Sequence, residues 1–131
     1  MRHKRLFFAA GALVLLLTLT FAIGRRPFRS LESSDIQTAA VELLPPDVTI
    51  QLDRDEIDAL ASLLREVRVT RRDDSYVGYD GQMVRFTLTL TDGGTTTVTA
   101  YNPFLIIDGR CWRTAYGPCE ALNAFGNRLN P

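Results

Sequence analysis

Histidine and lysine are nearly missing from this chain of 131 residues: the one histidine is His3, and no lysine follows Lys4. That scarcity excludes several chemistries. Serine or cysteine nucleophiles activated by histidine need an imidazole that exchanges a proton near neutral pH, and the one available precedes a long apolar run. The usual zinc ligand sets lose their nitrogen donors, leaving two cysteines and carboxylates, a poor match of soft and hard ligands. Schiff-base chemistry and a phosphate-cradling lysine go with the missing lysines, and no glycine-rich phosphate loop is present. Neither a metal nor a cofactor is expected. Paired carboxylates could still serve as acid and base, and Asp73, Asp74 and Asp80 are the nearest candidates. Their spacing lacks the alternating ligands and terminal glutamate of a calcium loop, so they read as solvated turn residues.

What the chain does have is a sharp break near residue 24. From Leu6 to Ile23 run 18 uncharged residues, with Arg2, Lys4 and Arg5 before them and Arg25, Arg26 and Arg29 after. As a helix this run extends about 27 Å, close to the roughly 30 Å hydrocarbon core of a bilayer. It predicts a membrane anchor, with the lipid bilayer as partner through residues 6–23. A cleaved secretory signal is the alternative, because Ala22-Ile23-Gly24 offers small residues where a peptidase would inspect them, although signal cores are usually shorter.

Every one of the 15 acids follows Ser30, against nine arginines there, so the body carries −6 and the leader +6. Such a body repels nucleic acid and anionic lipid, and neither is an expected partner for it. The terminal amine and His3 tip a nearly balanced charge distribution towards a cytoplasmic N-terminus, with the C-terminal domain extracellular. The expected division is 1–24 anchor or signal peptide, 25–30 juxtamembrane linker, and 31–131 a single extracytoplasmic domain, large enough to bury its own core.

Periodicity predicts the elements of that domain. Ile36 to Leu44 and Val48 to Leu52 read as a hairpin across Pro45-Pro46-Asp47. Asp53 and Glu56 form a capping box for a helix over Arg54 to Glu66, whose Ile57, Leu60 and Leu64 share a face. A short strand over Val67 to Arg71 precedes a polar loop, Arg72 to Gly81. Val84, Phe86, Leu88 and Leu90 alternate with Arg85, Thr87, Thr89 and Thr91, the signature of a strand with one wet face. Returning strands are expected at Thr95 to Tyr101, Phe104 to Ile107 and Arg110 to Thr114, with Asp108-Gly109 forming a two-residue turn. Pro118 suits the first turn of a final helix carrying Cys119, Leu122, Phe125 and Leu129. The expected fold is α+β: an antiparallel meander sheet with two helices on one face, preceded by one N-terminal transmembrane helix.

Three segments carry a resemblance: Leu43-Leu44-Pro45-Pro46-Asp47, Tyr101 through Gly109, and Tyr116 through Asn123. They resemble a small uncharacterised domain of membrane-anchored proteins in Gram-positive bacteria, which is similar in turn to extracytoplasmic tails of some sensor-type membrane proteins. The resemblance covers nearly all of Phe28 to Leu129 and implies an exported accessory or sensing module. It brings no catalytic residues.

The candidate binding surface is the threonine row of the central hairpin, Thr87, Thr89, Thr91, Thr95, Thr97 and Thr99, with Arg85 as an anchor for a carboxylate. Tyr76 and Tyr79 head a set of aromatics expected to rim it, a residue type enriched at binding hot spots. An ordinary solvent face is the plainer reading. Cys111 and Cys119 are either a disulfide, as an exported location permits, or two small buried hydrophobes. Three functions follow: a tethered binding or sensing module without catalytic activity, an inhibitor-like or accessory domain that holds a membrane or secreted protein partner, and, least favoured, a carboxylate-dependent hydrolase.

Overall fold

The computed structural model describes residues 24–131 and Ala12. The rest of the predicted membrane segment lies outside the described residues, among which no helix is long and apolar enough to cross a membrane. The body is α+β, as expected. Its strands are β1 (Ile36–Leu44), β2 (Val48–Gln51), β3 (Val69–Arg72), β4 (Met83–Leu90), β5 (Thr95–Tyr101), β6 (Phe104–Ile107) and β7 (Arg110–Thr114). They form one antiparallel sheet in the order β2-β1-β4-β5-β6-β7-β3. Two helices, α1 (Arg54–Glu66) and α2 (Tyr116–Leu129), pack on one face.

Local chemistry accounts for these boundaries. The Asp53 carboxylate accepts from the Glu56 amide at 2.9 Å and the Glu56 carboxylate from the Asp53 amide at 2.8 Å, closing the predicted capping box. Asp108 and Gly109 take φ of 48° and 81°, the paired positive values of the two-residue turn between β6 and β7. A register shift between Ile36 and Thr38 places Ile36 and Ala39 both in the core, although their odd separation would put them on opposite faces of a regular strand. Gly126 is buried where α2 crosses β4, and a methyl group there would collide with the Val84 side chain.

Ile57, Leu60 and Leu64 of α1 and Leu122 and Phe125 of α2 meet Val41, Leu43, Val84, Phe86, Leu88, Val98, Ala100 and Leu105 of the sheet in one core. Phe86 stacks on Phe125 with ring centroids 6.1 Å apart. The two strands flanking α1 in sequence lie at opposite edges of the sheet, so the helix carries the chain across one face. The loop after β3 carries it back to β4 across the other face, making a strap that includes the 3-10 turn Ser75–Gly78.

The six residues expected as a linker are docked onto the body. Arg25 and Val69 exchange two backbone hydrogen bonds of 2.9 Å, extending the sheet beyond β3. Arg26 Nε donates to the Arg65 carbonyl at 2.6 Å, and Phe28 packs against the core. Gly24 has φ +82°, and a β-carbon there would sit 2.5 Å from the Val69 carbonyl oxygen. Gly24, the residue that follows the apolar run, is thus held against the edge of the sheet in a conformation that favours glycine.

Candidate functional site

Strand pairing puts the predicted residues on one surface. Thr87 lies opposite Thr97, Thr89 opposite Thr95 and Arg85 opposite Thr99, on the sheet face away from the helices. Thr38, Ala40 and Glu42 of β1 continue the rows through Thr89, Thr87 and Arg85. The result is a field of threonine side chains across β4 and β5, continued by Thr38, Ala40 and Glu42 of β1.

Two parts of the expected site differ. Arg85 is not a free anchor, because its guanidinium lies 3.6 Å from the Glu42 carboxylate across the strand pair, with side chains 38% and 36% exposed. An ion pair this exposed contributes at most about 1 kcal/mol, yet it occupies the charge that was to meet a partner. Thr99, at 4% exposure, is withdrawn from the surface altogether. Thr87, Thr89 and Thr97 stay half-buried and Thr95 exposed.

The aromatics divide rather than forming one rim. Tyr76 and Tyr79 belong to the strap and face inward, their rings edge-on to Phe104 at 6.3 and 4.9 Å. Tyr101, Phe104 and Cys111 lie beneath them as a second, smaller core, and the Tyr101 hydroxyl donates to the Tyr79 carbonyl. Tyr79 remains 46% exposed. Trp112 packs against the main core on the helix side, under the guanidiniums of Arg25 at 4.7 Å and Arg72 at 5.4 Å from its centroid.

Asp73 fastens the strap. Its carboxylate accepts from the Ser75 amide at 3.0 Å and Arg113 Nε at 2.8 Å, and the Arg113 guanidinium lies over Phe104 at 4.8 Å. Hydrogen bonds from Ser75 and Arg113 hold the Asp73 carboxyl well below the usual carboxylate range. It is therefore a fixed anion, unable to serve as a general acid at ordinary pH. Asp74 pairs with Arg72 at 3.5 Å and Asp80 is exposed. Among the described residues no group of histidine, cysteine and carboxylate side chains is arranged to hold a metal.

Cys111 and Cys119 are free thiols, and the disulfide reading gives way to the buried one. Cys111 lies in the small core beneath the strap and Cys119 in the main core at the start of α2, so the sheet separates them. Burial pushes the Cys119 thiol up to about 12, and burial followed by the nearby Asp74 and Asp73 charges raises Cys111 as well.

A second charged surface was not foreseen. Gly24, Arg25, Arg26, Arg29 and Arg68 line an open hollow of about 460 Å³. Arg25 continues into a neighbouring hollow of about 440 Å³, with Pro27, Ile107, Asp108, Arg110 and Trp112. The arginines after the apolar run were legible as headgroup anchors; their convergence with Arg68 and Arg110 depends on β3 and β7 lying side by side. No protein-family model, curated protein or solved structure matches this chain.

Proposed function

We propose that this chain is a membrane-tethered, non-catalytic binding or sensing module displayed outside the cytoplasm, as its resemblance to exported accessory domains implies. Its recognition surface is the uncovered half of the sheet, bounded by the strap and centred on the Thr87–Thr97 and Thr89–Thr95 pairs. One observation carries this reading: the strap covers one half of the face opposite the helices and leaves the threonine rows open. An open face of paired strands suits the surface of a partner protein better than a small molecule, which is normally enclosed in a concave site. This brings the accessory-domain reading and the sensing reading onto the same residues.

Capture of a partner from solubilised membranes by wild-type and substituted chains tests the assignment. Thr89→Lys and Thr97→Lys should each abolish capture of the protein retained by wild type while leaving the melting temperature nearly unchanged, because a long charged side chain on the face away from the helices obstructs an interface without entering the core. Asp58→Lys, an exposed change on α1, should leave capture intact. Normal capture by both threonine variants, with loss in Asp58→Lys, would move the site to the helical layer.

A further inference from the structure

We propose that the hollow lined by Gly24, Arg25, Arg26, Arg29 and Arg68 docks on phosphate groups at an anionic membrane surface and sets the orientation of the domain on the bilayer. This rests on the tethered reading above and adds a second contact to it.

The charges are available for such a contact. Arg25 and Arg29 are exposed and Arg68 is half-buried. Among the described residues none of these three, nor Arg110, has a carboxylate within 4 Å. Residues 1–23 contain no aspartate or glutamate, so they supply no counter-ion either. Two acids stand nearby, and both are engaged: Glu66 pairs with Arg26 at 3.3 Å, while Asp108 accepts from Thr96 Oγ1 at 3.0 Å and from the Thr97 amide at 2.9 Å. Three unpaired guanidiniums around one hollow offer forked donors whose geometry matches phosphate oxygens.

Position identifies lipid as the source of that phosphate. The hollow includes Gly24, the first residue after the apolar run, and the doubled hydrogen bond between Arg25 and Val69 fixes the chain to the body two residues after Ile23. A segment that ends in the bilayer therefore delivers these arginines at headgroup depth. Tethering makes the contact intramolecular, so even weak sites are occupied. Trp112, beneath Arg25, adds an indole of the kind enriched at membrane interfaces. The net −6 of the body does not oppose this arrangement: anionic lipid repels the acidic remainder and attracts the arginine end, and both effects favour the same orientation.

Trp112 is the chain's one tryptophan and a native reporter of the contact. The full chain is reconstituted in nanodiscs of phosphatidylcholine alone or mixed with phosphatidylglycerol, each carrying a headgroup-attached quencher. Quenching of Trp112 should be greater in the anionic discs, and the excess should vanish near 1 M salt, where the screening length falls to about 3 Å. The double variant Arg29→Gln/Arg68→Gln should lose the excess, and Arg128→Gln, which lines neither hollow, should keep it. Unchanged Trp112 emission of the double variant in detergent controls for folding. Equal quenching in the two kinds of disc overturns the proposal. So does a saturable response of Trp112 to inorganic phosphate in neutral discs, which would mark a solute site. Loss of the chain from the discs on carbonate washing instead overturns the tethered reading, and the docking proposal with it.

Discussion

At the scale of single residues, the central strand tests whether register was assigned correctly. Phe86 is fully buried between the sheet and Phe125 of α2, whereas Thr87, one position on, faces the uncovered side. Phe86→Ala should cost roughly 3 to 5 kcal/mol, since Gly126 already lies against Val84 and the helix above cannot move closer to fill the space. Thr87→Ala should stay within about 0.5 kcal/mol. Urea denaturation of both variants measures the difference, and equal losses would contradict the register. This contrast was legible in the sequence because the alternation of Val84, Phe86 and Leu88 with arginine and threonine is local. The Arg85–Glu42 pair was not: it depends on β1 lying beside β4, and no feature within either strand announces its neighbour.

At the scale of elements, the same distinction explains what was foreseen and what was not. The capping box at Asp53 and Glu56 and the turn at Asp108-Gly109 involve residues no more than three apart, so α1 and the β6–β7 hairpin were readable. The placement of β3 against β7 joins segments some forty residues apart, and the face taken by the following loop depends on that placement. The loop read as polar and solvated because its inward tyrosines are surrounded by Asp73, Asp74 and Asp80 in sequence. Folding turns Asp73 into a clamp on Arg113. Because the Asp73 carboxyl is held below its ordinary value, the clamp contributes its full stability above the unfolded carboxyl's range, about pH 3.9, and loses it progressively as pH falls towards the depressed folded value. The wild-type melting temperature should therefore fall more steeply below pH 4 than that of Asp73→Asn, which has no carboxylate to titrate there. Parallel acid limbs for the two proteins would show that the strap is held by Tyr76 and Tyr79 packing alone.

At the scale of the whole molecule, the docked start of the body bears on the anchor itself. A signal peptidase cutting after Gly24 would sever a bond whose following residue, Arg25, gives and accepts backbone hydrogen bonds with Val69, and whose glycine lies against the Val69 carbonyl. Cleavage there would detach Gly24 from the contact with Val69 that favours a glycine. An uncleaved run keeps Gly24, with its φ of +82°, beside Val69 at the sheet edge. The full chain should accordingly remain with membranes through high-salt and carbonate washing, and intact-mass measurement should find residues 1–24 still attached. External protease should reach the body in intact cells. Recovery from the medium of a form beginning at Arg25 would establish a cleaved signal, and the arginine hollow would then belong to a free domain with no bilayer to hold it.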